Sequence, residues 1–297
     1  MLEKNVVALD AKEHIVEKLV CKKTNNSIVD FILKEFSELS YGTIQKLLRK
    51  KDIKLNGQRI KADCAINAGD QVEIFLPQKA QQNIEVIYSD EFMVIANKPS
   101  GIEVIAENAD CLLNRLTEQT GKTLYAVHRI DRNTTGLVVF AANLQAKAEL
   151  EQAFKQHLIE KYYLAVVVGK PVKEQDKLVA YHKKDSKKAM CYISDEQKNG
   201  YTKIITSYKV LKSNDILSLL EVQIETGKTH QIRAHLSHIG YPILGDEKYG
   251  DKQSNKQHKK KKQMLVAYKL NFGKRIKGAK ITNVELKNTK QELLNTL

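Results

Sequence analysis

The stretch HRIDRNTTGLVVFAAN, residues 128–143, changes character at its middle. Its second half, GLVVFAAN, is β-rich, and so is TLYAVHRI, which leads into its first half. A strand therefore runs into a turn that presents His128, Arg129 and Asp131 beside Thr134, Thr135 and Gly136. A lone Asp in a turn is ordinarily a cap or a solvated loop residue. Here Arg129 stands two positions before Asp131, so in extended geometry a guanidinium and a carboxylate face the same way, into one cleft. Gly136 is the residue type that lets backbone approach closely at such a turn.

Outward from this stretch, the chain from Ile84 onward reads as many strands with few helices. IEVIYSDEFMVIANKP gives two strand-like runs around Ser89, Asp90 and Glu91, and QAKAELEQAFKQHLIEKYY is the one clear amphipathic helix. YLAVVVG, TKIITSYKVL, LSLLEVQIE and MLVAYKLNF return to strand, so 84–285 is expected to form a large mixed sheet with helices around it. The polar tail after Glu285 is expected to fray.

Residues 14–77 read as a separate small unit. HIVEKLVCKK alternates like a strand. SIVDFILKEF places Ile28, Phe31, Ile32 and Phe36 at helical spacing behind Ser27 as N-cap. SYGTIQKLLRKKD gives a second helix with Ile44, Leu47 and Leu48 on one face. IKLNGQRI is a hairpin about Asn56-Gly57, a pair suited to a type I′ turn, and AGDQVEIFLP closes the unit. KAQQN, 79–83, is a polar linker. The fold class is thus α+β: a helix-helix-hairpin unit followed by a mixed β-sheet domain.

A length of 297 residues with 42% hydrophobic content accommodates two cores. No apolar run is long enough to span a membrane, and MLEKNVVALDAKEH lacks the apolar stretch of a secretory signal. Cysteines 21, 64, 111 and 191 form no CxxC pair, which suggests neither a zinc site nor a disulfide framework and fits a reducing cytoplasm. Net charge is +14. Residues 42–61 hold seven Lys/Arg against Asp52 alone, and 248–290 hold fourteen against Asp251 and Glu285. Charge gathered in two segments points to a polyanionic partner, nucleic acid above all. A carboxylate and a guanidinium in one cleft are what catalysis on RNA would use.

HRIDRNTTGL resembles the HRLDxxTSGL signature of RluA-type pseudouridine synthases, with Ile130 for Leu and Thr135 for Ser. Further similarities follow in the family's order. NKPSG (97–101) resembles KPxG, and EKYYLAVVVG (160–169) resembles KxYxAxVxG. ETGKTHQIRAHLSHIGYPILGDEKYG (225–250) resembles TGRTHQIRVHL followed by hPIxGDxxYG, and MLVAYKLNF (264–272) the closing LHAxxLxF strand. The small unit resembles an S-four-type RNA-binding domain. The chain departs from the family at Glu103–Ala106, where a Val-Val-His-Pro run is usual, at Ala142 for Lys and at Lys228 for Arg.

The resemblance implies isomerisation of uridine to pseudouridine in structured RNA. Large-subunit ribosomal RNA is the expected substrate; the alternatives are transfer RNA, or a noncatalytic RNA-binding ribosome-assembly factor on the same fold. It implies Asp131 as the catalytic carboxylate, nucleophile or base, Arg233 facing it and Tyr163 stacking on the base and serving proton removal from carbon 5. Tyr162 competes for the last role, but KxY counted from Lys161 selects Tyr163. Arg129 is the expected filler of the space left by a flipped uridine, with His128 beside it on RNA. Lys46, Arg49, Lys50 and Lys51, then Lys54, Arg59 and Lys61, are expected along a phosphate backbone. The chemistry adds no atom and changes no oxidation state, so no cofactor and no metal are expected; His230, His235 and His238 are taken as structural or RNA contacts. A monomer is expected. The run NKQHKKKKQ (255–263) reads as an inserted basic loop, either a nonspecific grip on RNA or a solvated surface.

Overall fold

In the computed structural model, residues 5–9, 14–36, 39–77, 83–106, 110–273 and 276–297 are described, and the chain divides into two units, Met1–Gln82 and Asn83–Leu297. The linker expected at 79–83 falls, except for Asn83, outside the described residues.

The first unit comprises β1 (Asn5–Leu9), β2 (His14–Val20), α1 (Ile28–Glu35), α2 (Tyr41–Lys50), β3 (Ile53–Leu55), β4 (Gln58–Ile60) and β5 (Gln71–Pro77). The strands form an antiparallel sheet in the order β1-β2-β5-β3-β4. β1 is an added strand ahead of the unit expected from position 14. Ser27 and Ser40 cap α1 and α2, their hydroxyls accepting the N–H groups of Asp30 at 3.0 Å and Thr43 at 3.2 Å, as N-caps do. The apolar stripes of both helices, Ile28, Ile32, Ile44 and Leu48, bury themselves with Ile53, Val72 and Ile74 of the sheet. Asn56 at φ 48° and Gly57 at φ 79° make the left-handed pair that a type I′ hairpin requires.

The second unit runs β6 (Glu85–Ser89), β7 (Met93–Lys98), α3 (Leu112–Thr120), β8 (Tyr125–Ala126), β9 (Thr135–Ala141), α4 (Leu144–Lys155), β10 (Glu160–Val168), β11 (Gln175–Asp185), β12 (Met190–Ser194), β13 (Thr202–Ser213), β14 (Leu217–Ile224), α5 (Gln231–His238), α6 (Lys252–Gln257), β15 (Leu265–Asn271), β16 (Asn283–Glu285) and α7 (Thr289–Leu294). Among the described residues its sheet has eleven strands, ordered β12-β11-β13-β14-β10-β15-β9-β7-β6, with β16 on β15 and β8 on β9. The β9–β15 pair is parallel, through Val266 opposite Thr135 and Ala267 opposite Gly136; the sheet is mixed, as the strand-rich sequence led one to expect.

The central strands are apolar without interruption because both faces are covered. Along β9, Val138 and Phe140 enter one core, while Leu137, Val139 and Ala141 enter another against α4. Along β10, Tyr163, Ala165 and Val167 join the first core, and Leu164 and Val166 the opposite side. The first of these faces carries the candidate site. Gly136, at φ 109°, lies where β9 meets β15: a Cβ there would stand 2.2 Å from the Ala267 carbonyl oxygen, so any larger residue displaces backbone.

Two local expectations need correction. The tail after Glu285 does not hang free: Leu286 and Leu293 are buried, and the Asn214 side chain donates to the Leu297 carbonyl at 2.8 Å. Apolar residues spaced through a polar tail suffice to dock it. The 255–263 segment is not all loop; α6 covers its start, capped by Asp251, whose carboxylate accepts the Ser254 N–H at 2.7 Å.

Candidate active site

Ile130 is buried in the core beneath the sheet face, and this fixes the turn on which Asp131 stands. The turn is held by the Thr134 N–H donating to the Asp131 carbonyl at 3.1 Å. It is clamped from the side by the NKPSG loop. The Lys98 ammonium is fully buried and donates to the carbonyls of Pro99 (2.9 Å), Ile102 (2.9 Å) and Arg132 (2.8 Å). The backbone of Gly101 and the backbone and Nε of Arg132 complete the clamp, at 2.9 Å each. Burial pushes the Lys98 amine down to about 8, against the opposing pull of the Asp131 charge. Three carbonyls and a nearby carboxylate are what keep a cation there at all.

Arg233 reaches Asp131 from α5. Its Nη1 donates to Asp131 Oδ2 at 3.0 Å. Its other edge is gripped by Asp246: Nε to Oδ2 at 2.6 Å and Nη2 to Oδ1 at 3.0 Å, the bidentate fork of guanidinium on carboxylate. The Asp246 side chain has no exposure at all. Burial alone would push its carboxyl up, but Arg233 and the N–H groups of Lys248 (2.8 Å) and Tyr249 (3.1 Å) more than reverse this and hold it below the ordinary value. The guanidinium also lies over the Tyr249 ring, 5.2 Å from its centre. Arg233 is thus spread between two carboxylates, one buried and structural, one facing a pocket.

That pocket, about 570 Å³, is lined by Asp131, Arg129, Tyr163, Lys161, His230 and Arg233 among others. Tyr163 is buried, and burial followed by the Asp131 charge raises its phenol well above the ordinary range. At neutral pH it is therefore an uncharged hydroxyl. Strand alternation turns Tyr162 away: its hydroxyl meets Glu160 at 3.1 Å among the residues of the opposite side. A register shift against β15 falls between these two tyrosines, a device that re-aims side chains at sites.

The sequence-expected residues separate as follows. Asp131, Tyr163, Arg233 and Arg129 share the pocket; Arg129 is exposed at its edge, and among the described residues nothing pairs with it. His128, expected on RNA, lines the same pocket with its ring committed inward. It stacks on Phe154 at 4.3 Å between centres, and its Nε2 accepts the Val139 N–H at 2.9 Å. Burial pushes it down to about 3, so it offers RNA no positive charge. The three histidines of the α5 region take separate partners: His230 with the Tyr249 hydroxyl (2.9 Å), His235 with Thr206 (3.0 Å) and His238 with Asp195 (2.9 Å). In the first unit, Lys46, Arg49, Lys50, Lys51 and Lys61 are exposed. Lys54 and Arg59 are partly engaged, by Glu73 at 3.6 Å and Asp52 at 3.7 Å. Sequence reasoning assigned no role to Asp246 or Lys98; both sat in quoted motifs, GDEKYG and NKPSG, which were the available signal.

A family model described as RNA pseudouridylate synthase matches residues 92–238. Ribosomal large subunit pseudouridine synthase C of Rickettsia bellii (strain RML369-C) is 35% identical over 240 residues, covering 72% of this chain and 79% of that protein. The protein so named in Vibrio parahaemolyticus serotype O3:K6 is 29% identical over 247 residues, covering 76% and 77%. The solved structure of human RNA Pseudouridylate Synthase Domain Containing 1 matches with a TM-score of 0.59 at 20% identity, over 73% of this chain and 96% of that one, a likeness of fold. With its ordered motifs and these relatives, the chain is an isomerase acting on RNA and belongs to the RluA-type RNA pseudouridylate synthase family.

Proposed function

We propose that this enzyme converts uridine to pseudouridine in large-subunit ribosomal RNA, with Asp131 as its catalytic carboxylate. The observation that carries the assignment is the Asp131 carboxylate at the pocket, held by an Arg233 that a fully buried Asp246 keeps in place. The reaction cuts the N–C glycosidic bond, turns the base and rejoins it through carbon 5. One carboxylate acting on the sugar, as nucleophile or base, suffices. The pocket lies within the size range of small-molecule sites, about 300–1,000 Å³, and a uridine reaches it only by leaving its stack at a cost of a few kcal/mol. Arg129 at the edge has the planar cation suited to stack in the space left behind. Tyr163 offers the uracil a ring and a neutral hydroxyl.

Tyr163→Phe separates these last two. The ring remains, so RNA binding and bond cleavage persist, while overall turnover falls by about 10²–10⁴-fold, the size of a lost proton-transfer group. Rapid-quench sampling should show a species accumulating before product. An unchanged overall rate removes the hydroxyl from proton transfer.

Ribosomal RNA is favoured over transfer RNA by the names of the relatives. Pseudouridine mapping of both RNA classes, in a strain lacking the gene and in one carrying Asp131→Asn, tests this. Sites lost only from transfer RNA refute the ribosomal reading. The first unit fits an S-four-type RNA-docking role through the exposed cations on and after α2. Neutralising Lys46, Arg49, Lys50 and Lys51 to Gln should lower the slope of log affinity against log salt by up to about 3, at 0.7–0.9 per phosphate contact. A salt titration that leaves affinity and slope in place ends that assignment.

A further inference from the structure

We infer that the basic insert between Asp251 and Gln263 is a docking site for the sugar–phosphate backbone of the RNA strand that flanks the target uridine. The inference rests on the pocket at Asp131 being where the uridine enters.

The insert is built rather than loose. Asp251 caps α6, the Lys260 N–H donates to the Asn255 carbonyl at 2.9 Å, and Lys259 closes the turn at φ 51°. It is also tied at both ends to the loops that hold the site. Asn255 accepts the Gly245 N–H at 2.6 Å and donates to the Asp246 carbonyl at 3.1 Å. Gly245 is pressed so closely on the insert that a Cβ there would meet the Lys262 carbonyl oxygen at 2.1 Å. At the far end, buried Gln263 donates to the Thr134 hydroxyl at 2.6 Å, and the Thr134 N–H bonds the carbonyl of Asp131. One end of the insert therefore sits on the residue that holds Arg233, and the other on the turn that carries Asp131.

Between these ties lies a hollow of about 560 Å³, lined by Lys252, Lys256, Lys259, Lys260 and Lys261, with Glu247 the single acid. Among the described residues none of these lysines forms an ion pair. The five lysines line one hollow with no carboxylate paired to any of them among the described residues, and an anionic ligand supplies that counter-charge. No aromatic or aliphatic residue lines the hollow to serve as the anchor that protein partners use. Lysines offer phosphates mobile point charges without demanding a base sequence. The chain acts on RNA, a polymer of the anions this hollow lacks, and the two ties of the insert lead to the loops that hold Asp131 and Arg233.

The test uses the whole chain with K252Q, K256Q, K259Q, K260Q and K261Q combined, beside a version carrying Arg at the same five positions. The probe is a uridine-containing fragment of large-subunit ribosomal RNA. The Gln variant should bind at least about tenfold more weakly near 0.1 M salt, with a salt slope smaller by about 2–4. Its single-turnover rate at saturating RNA should match that of the unaltered chain, and the Arg version should restore affinity. Unchanged affinity and slope overturn the proposal and leave a solvated face. A lower saturating rate with an unchanged slope also overturns it, making the insert a prop for Asp246. Polyglutamate that competes with RNA for the unaltered chain but not for the Gln variant, whose RNA affinity is unchanged, assigns the hollow to an acidic protein instead. The catalytic reading fails separately, through turnover by Asp131→Asn, and that result leaves the binding slopes untouched.

Discussion

Asp131→Asn loses turnover on a uridine-containing RNA by at least about 10⁴-fold, the scale on which single members of a catalytic set fail, while its affinity for that RNA stays close to the unaltered value. The amide matches the carboxylate in shape and can still accept from Arg233 Nη1 at the 3.0 Å position. Arg233 itself does not depend on Asp131 for its place, because Asp246 holds its other edge with two hydrogen bonds. The pocket therefore keeps its form, and the loss is chemical: an amide is neither a nucleophile nor a base toward the sugar. Product measured over many turnovers by this variant, at a rate near that of the unaltered chain, removes Asp131 from its assigned role.

Asp246→Ala is expected to be the most damaging change that touches no substrate. It strips the bidentate partner from a buried guanidinium, a loss of about 3–5 kcal/mol in comparable buried pairs. It also orphans the N–H groups of Lys248 and Tyr249, which the same carboxylate accepts. Urea titration of the folded chain reads the stability loss. Activity falls with it, since Arg233 is no longer aimed at Asp131. Arg233→Lys should not substitute, because a point ammonium cannot bridge two carboxylates as the fork does. Asp246 also sets an acid limit. Its carboxyl sits below its ordinary value of 3.8 in the folded chain, so the unfolded chain takes up the proton first. The stabilisation is full above the ordinary value and fades as pH falls toward the lowered one. A guanidinium–carboxylate pair that contributed nothing would leave the acid unfolding midpoint unmoved in Asp246→Asn.

Much of this architecture was legible in the residues. The apolar runs GLVVFAAN and YLAVVVG are uninterrupted because alternate residues enter cores on opposite sides of one sheet, so the run itself announces a central strand. Asn56-Gly57 dictates its hairpin because the left-handed pair suits few other residues. Where reasoning from the chain fell short, the signal was weak or nonlocal. Asp246 resembles any Asp after a Gly until Arg233, thirteen positions earlier, is seen against it. Lys98 reads as a surface cation, and only three converging carbonyls explain its complete burial. His128 reads as a basic contact until the ring is found stacked on Phe154. The tail after Glu285 looked free because its docking residues, Leu286 and Leu293, are isolated in a polar segment.

The sequence by itself determined the chemistry on offer. The strand-rich second unit and the two basic segments follow from residue type and spacing, since strand period, turn residues and charge are local properties, and the roles expected of Asp131, Tyr163 and Arg233 follow from the family resemblance of the motifs that carry them. Only the tertiary structure decided which of those groups act together. Asp131 and Arg233 lie 102 positions apart, and their pairing exists because β9 and β15 meet at Gly136 and α5 packs Ile232 and Leu236 into the same core as Ile130 and Tyr163. The split of Arg233 between a buried and a pocket carboxylate was one of depth, set by packing across the fold, and it carries no trace in the local pattern of the chain.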